Sequence, residues 1–162
     1  MRVGLFVDVS NLYYCVGRAF EEQKIDYSKY LNTVCEELPE GGEITVCRAF
    51  GVKIDNEAKA FIRRLNALGF STKFIHTTRN RNTTLGVNIA VDIIRNLDAL
   101  DQVILGSASR DLVPLVTYLK ELDKKVMIIA CGVCNELRNV ANATIEITAE
   151  QLETKVLNEE ST

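Results

Sequence analysis

The stretch VGLFVDVSNLYY, residues 3–14, decides the fold. Residues 3–7 form a continuous apolar run of strand length, the pattern of a strand buried on both faces of a parallel sheet. The run ends in Asp8, followed by Ser10 and Asn11, before an apolar helix start at Leu12. A carboxylate at the C-terminal end of a central parallel strand stands where open α/β sheets bind ligands, in the crevice outside the strand ends. Two readings compete for it. Asp8 or Ser10 simply caps the following helix, which accounts for one polar residue. Three polar residues together, after so apolar a run, point to a site.

Working outward, strands and helices alternate along the chain. Residues 12–20 read as a helix and 27–38 as a second, capped by Asp26 and stopped by Pro39 and the glycines after it. Residues 44–50 (ITVCRAF) are a strand rich in β-branched and aromatic types. Asp55 or Asn56 is placed to cap a helix whose apolar positions Ala58, Phe61, Ile62, Leu65 and Leu68 keep helical spacing, with Gly69 at its end. A short strand at 71–75 leads into the polar, basic loop 76–84. Helix 85–97 carries one polar stripe of Asn88, Asp92 and Arg95. A strand at 102–105 breaks at GSASRD, and helix 112–122 tolerates Pro114 only in its first turn. Then come strand 124–130, a turn at 131–134, a short helix at 135–141 and a last strand at 144–147. This alternation predicts an α/β three-layer sandwich with a mostly parallel central sheet. Residues 1–150 read as one domain and 151–162 as a polar tail.

At 162 residues the chain is long enough to bury a core. No segment reaches the length of a membrane span, and the run after Met1 leads into Asp8 without a small-residue cleavage site. The expected location is cytoplasmic. An odd number of cysteines, five, scattered in apolar settings, suits reduced thiols. The formal charge of −3 gives no global attraction to nucleic acid, so any such binding needs a local basic patch.

Three polar clusters lie where this topology can bring them together. They are Asp8 with Asn11, Asn88 with Asp92 on one helix face, and Ser107, Ser109 and Asp111 after the strand at 102–105. Oxygen ligands converging from separate strand ends are what Mg²⁺ requires, and a metal so held activates water for phosphodiester cleavage. Each cluster has a plainer account. The stripe at 88, 92 and 95 reads as the solvated face of an amphipathic helix, and Asp111 as an N-cap with Pro114 at N3, where no intrahelical N–H is needed.

The strings VGLFVDVSNLYY, GVNIAVDII, GSASRDLVPLV and LDKKVMII together resemble the NYN domain, and more narrowly its LabA-like branch within the PIN-like nuclease superfamily. The likeness runs from the first strand to about Ile147. It implies a PIN-like sandwich with acidic residues at the strand ends holding Mg²⁺ or Mn²⁺ for RNA cleavage. The family's DxxN falls on Asp8 and Asn11. Its helical acid pair falls on Asn88 and Asp92, its S-G-D-x-D-F on residues 107–112, and its late A-D-x-F on 141–144. Three acidic positions are therefore neutral, at Asn88, Ser109 and Asn142. Fewer charged ligands mean weaker metal binding.

Two functions follow. One is a metal-dependent ribonuclease with a reduced site, in which Asp8, Asp92 and Asp111 act as catalytic ligands. Asn88 would be a further metal contact, with Asn11, Ser107 and Ser109 placing the phosphate. The other is a non-catalytic member that binds RNA or protein, with Arg79 and Arg81 of the basic loop, and Lys73 nearby, on phosphates. A homodimer is compatible with either. No GxGxxG or Walker A string follows a strand. A dehalogenase-type phosphatase needs a second acid where Ser10 stands. Cys131-Gly-Val-Cys134 permits a redox dithiol, though two ordinary thiols account for it. Of Tyr13 and Tyr14, one is expected in the core and the other free to stack on a base.

Overall fold

The computed structural model describes residues 1–53, 58–76 and 85–154. In chain order the elements are β1 (Arg2–Asp8), α1 (Val9–Ala19), α2 (Tyr27–Glu36), β2 (Glu43–Lys53), α3 (Ala58–Ala67) and β3 (Ser71–His76). They continue with α4 (Gly86–Asn96), β4 (Gln102–Gly106), α5 (Val113–Glu121), β5 (Lys125–Ala130), α6 (Asn135–Val140) and β6 (Ala143–Glu146). The six strands make one sheet in the order β3-β2-β1-β4-β5-β6, and every pairing is parallel. From β1 the chain steps outward through β2 to β3, then returns to β4 and steps the other way. Right-handed crossovers then put α1–α3 on one face and α4–α6 on the other. The expected three-layer sandwich is what forms, and the order reverses between β1 and β4.

The core follows from the apolar runs. Val3, Leu5, Phe6 and Val7 of β1 are fully buried, as are Val103, Ile104 and Leu105 of β4. From the α4 face Ile89 and Ile93 pack down, and from the opposite face Tyr30 of α2 donates its hydroxyl to the Ile129 carbonyl at 2.9 Å. Gly106 at the end of β4 permits this: a Cβ there would lie 2.6 Å from the Tyr30 hydroxyl oxygen and 3.0 Å from Val7.

Several boundaries differ from expectation for local reasons. α1 starts at Val9, not Leu12, because the Asp8 carboxylate accepts the Asn11 N–H at 2.9 Å and caps the helix at once. β2 runs three residues past Phe50, its end pinned where Ser10 Oγ accepts the Val52 N–H at 3.2 Å. Asp111 caps no helix, contrary to expectation. Ser109 caps a 3-10 helix at Arg110–Leu112, accepting the Asp111 N–H, and Pro114 follows within the first turn of α5. Gln151 and Leu152, read as the start of a polar tail, are buried, and Leu152 bridges Ile25. Asp55, Asn56, Arg79 and Arg81 lie outside the described residues. No helix among the described residues is long and apolar enough to cross a membrane.

Candidate functional site

The strand order reverses between β1 and β4, the place where open α/β sheets have their ligand crevice at the carboxyl edge, and Asp8 stands at that edge. Its side chain is only 7% exposed. Burial pushes the Asp8 pKa above the ordinary carboxylate value, while N–H donors of Asn11 and Ser10 pull the other way. Across the crevice the chain after β4 is held by short-range bonds. Asn11 Oδ1 accepts the Ala108 N–H at 2.9 Å, and the buried Ser107 Oγ accepts the Ser109 N–H at 3.2 Å. Asn11, Ser107 and Ser109 are thus first of all builders of the rim. Among the described residues no hydrogen bond from the Asn11 amide N–H₂ or the Ser107 hydroxyl is formed, so both keep a donor.

Strand alternation puts Asp8 on the face that α4 covers. Asp8, Phe50 and Lys73 are register partners across β1, β2 and β3, a row about 10 Å wide at ordinary strand spacing. One pair of residues further down β2 is Arg48. Asp92 of α4 reaches this corner and is the most heavily bonded acid there. Its Oδ2 accepts from Arg48 Nε at 3.1 Å, and its Oδ1 from Lys73 Nζ at 3.2 Å and Asn96 Nδ2 at 3.3 Å. The Asp92 side chain is 7% exposed and that of Arg48 27%. The expectation of a solvated stripe on α4 therefore fails at Asp92, although Asn88 and Arg95 are exposed. Between α4 and the β2–β3 edge lies a cleft of about 290 Å³, lined by Phe50, Lys73, Ile75, Asn88, Asp92 and Arg95 among others.

Asp111 is exposed at the N-terminus of α4, where a Cβ on Gly86 would come within 3.8 Å of its own. Asp92 lies six residues along the helix from Gly86, roughly 9 Å down its axis. The three aspartates share a side of the sheet but occupy different stations: Asp8 on the rim of β1, Asp111 at the mouth of α4, Asp92 a row deeper over β2. Among the described residues no three His, Cys, Asp or Glu side chains stand so as to hold a metal ion. A cation at Asp92 would have to displace Lys73 and Arg48. This donor set does not fit a resident Mg²⁺ or Mn²⁺.

Asn142, matched to a family acid, lies at the opposite end of the sheet. It immediately precedes β6, and its Oδ1 accepts the Val126 N–H at 2.9 Å, tying the start of β6 to β5. Tyr13 and Tyr14 are 59% and 62% exposed in an edge-to-face pair, so neither enters the core. Burial pushes the Cys131 and Cys15 thiols up, Glu146 adding to the effect at Cys131. That disfavours the thiolate a redox dithiol needs. Arg48 is the residue sequence reading missed. A charge inside the apolar strand ITVCRAF was the available signal, since a buried cation demands a partner.

An open, all-parallel α/β sheet with helices on both faces and a buried carboxylate at its point of strand reversal defines an α/β domain of the doubly wound kind. The NYN domain model matches residues 2–148, and the chain belongs to that family, one of the PIN-like nucleases. The crystal structure of a protein of unknown function, VPA0982 from Vibrio parahaemolyticus RIMD 2210633, is similar, with a TM-score of 0.81. The two are 23% identical, with 94% of this chain and 96% of that one covered. At that identity the likeness is one of fold. No curated protein matches the chain.

Proposed function

We propose that this protein is an RNA-binding NYN domain, of the LabA-like branch, in which metal-dependent cleavage is lost or much reduced. The observation that carries the reading is the state of Asp92. The acid best buried for ligation is instead the counter-ion of Arg48 and Lys73, so the corner presents fixed cations where a nuclease would present a metal. Cations held in place contact phosphates without a divalent ion. The neutral residues at Asn88, Ser109 and Asn142 support the same reading, as do the LabA-like strings around Asp8 and Asp111.

One observation favours the second reading, a Mg²⁺- or Mn²⁺-dependent ribonuclease working through Asp8, Asp92 and Asp111. Asp8 keeps a desolvated carboxylate on the crevice rim, with Asn11 beside it. A single experiment separates the two. Unstructured RNA is titrated in EDTA and then incubated with Mg²⁺ or Mn²⁺. Binding that is indifferent to EDTA, without cleavage, supports the first. Metal-dependent cleavage abolished by Asp8→Asn overturns it in favour of the second. We also place the protein in the cytoplasm. As a homodimer it would pair through the exposed Val87, Val91 and Ile94 of α4, which sedimentation tests directly.

A further inference from the structure

We propose that the cleft between α4 and the β2–β3 edge takes one unpaired nucleotide of an RNA strand, with the phosphate on Lys73 and Arg95 and the base against Ile75 and Val91, above the buried floor of Phe50 and Leu85. The inference rests on the RNA-binding reading and assigns it a subsite. Size is the first argument. At about 290 Å³ the cleft sits near the lower end of small-molecule sites, roughly 300–1,000 Å³, room for one nucleotide unit and no more.

Charge is the second. Lys73 and Arg95 line the cleft and Arg48 backs it, against the single carboxylate of Asp92. Asp92 does not cancel this excess; it orients it. Its buried carboxylate fixes the Lys73 ammonium at 3.2 Å and the Arg48 guanidinium at 3.1 Å, so little side-chain freedom remains to be lost when an anion arrives.

The wall is the third. Phe50 and Leu85, 1% and 2% exposed, form a fixed floor beneath the cleft, and half-buried Ile75 with exposed Val91 presents the apolar surface that a base of any identity can cover. Asn88 on the rim carries both a donor and an acceptor for a base edge. Bases paired in a helix cannot be splayed into a cleft, whereas those of single strands can. Finally, Lys73 stands in the same register row as Asp8. A strand seated by its phosphate at Lys73 therefore leads along the carboxyl edge of the sheet towards the crevice.

The test uses the full chain in EDTA. Uridine 5′-monophosphate, uridine and inorganic phosphate are titrated separately while backbone amide resonances are followed. The monophosphate is expected to shift the amides of Lys73, Ile75, Asn88 and Arg95 at concentrations where the other two leave them unmoved. Equal shifts from phosphate alone overturn the proposal, as does a cleft that none of them perturbs. In a second arm an eight-residue oligouridylate is bound to wild type, Arg95→Ala and Lys73→Gln. Each variant should bind about 3- to 10-fold more weakly, with the salt slope flattened by about 0.7 per lost phosphate contact. Lys73→Gln also disturbs Asp92, so the exposed Arg95 decides the outcome if that variant is unstable. Oligonucleotide binding unchanged in both variants overturns the cleft and leaves RNA binding by the domain standing. A mononucleotide that seats while no oligonucleotide binds overturns both.

Discussion

Asp8 caps α1, ends β1 and carries a titratable group into partial burial. Because burial raises its folded pKa above the unfolded value of 3.8, the folded chain binds this proton more tightly. The resulting stability is fully present below the unfolded pKa and is lost as pH rises through the folded pKa. Asp8→Asn keeps a capping acceptor and removes the titration. Urea unfolding should find the variant at least as stable as wild type near pH 7, with its advantage shrinking towards about pH 4. A clear loss of stability at neutral pH would mean that hydrogen bonds to the ionised form outweigh desolvation. Asp92 matters as a counter-ion. Asp92→Ala strands a half-buried guanidinium, and a cost of about 2–3 kcal/mol is expected, most of it regained when Arg48→Met is added. Thermal or urea unfolding of the single and double variants measures that coupling. Cysteine chemistry follows exposure. Iodoacetamide should modify Cys35, the exposed thiol, well before buried Cys131 or half-buried Cys47, the pKa of Cys47 being pushed up by burial to about 11.

Elements are locked to one another by a few polar contacts laid over apolar packing. Tyr30 ties α2 to the end of β5, and its hydroxyl is the atom that a Cβ on Gly106 would strike. Tyr30→Phe should cost about 1–2 kcal/mol by leaving the Ile129 carbonyl unpaired. Gly106→Ala should cost about 1–3 kcal/mol by overpacking. The double variant should lose less than the sum, since removing the hydroxyl makes room for the methyl, and a two-by-two cycle of unfolding free energies reads that directly. A strictly additive cycle would mean Val7, 3.0 Å away, carries the clash. The existence of these elements was legible from apolar runs, caps and glycines. Their ends were not. β2 extends to Lys53 because Val52 and Lys53 pair with Ile75 and His76 of β3 and the Val52 N–H meets the Ser10 hydroxyl forty-two residues earlier in the chain, contacts no local pattern encodes.

For the whole molecule, which edge of the sheet a residue occupies decides whether it can take part. Asn142 and Ser109 both stand where the family has acids, yet they lie at opposite edges. Asn142→Asp keeps an acceptor for the Val126 N–H and should change neither fold nor metal response. Ser109→Asp keeps the cap on the 3-10 helix and adds a charge at the carboxyl edge. Metal affinity rises with ligand charge, so a gain in Mn²⁺-dependent RNA cleavage is expected from this variant and not from Asn142→Asp. Cleavage assays with the two variants side by side check it. No gain in either would leave the cation pairs on Asp92 as the feature that excludes a metal.

What the amino-acid order determined by itself is the set of buried strands, the alternation with helices, and the polar break at Asp8, because each is written in consecutive residues by periodicity and capping. The sandwich follows from that pattern once crossovers are right-handed. The tertiary structure alone decided the electrostatics of the site. Asp92 finds Arg48 and Lys73, forty-four and nineteen residues away, only because β3 and β2 lie side by side beneath α4. The same placement left Asp111 at the helix mouth and Asn142 at the far edge. A charge takes its partner from register and strand order, and those are properties of the assembled sheet rather than of any stretch of the chain.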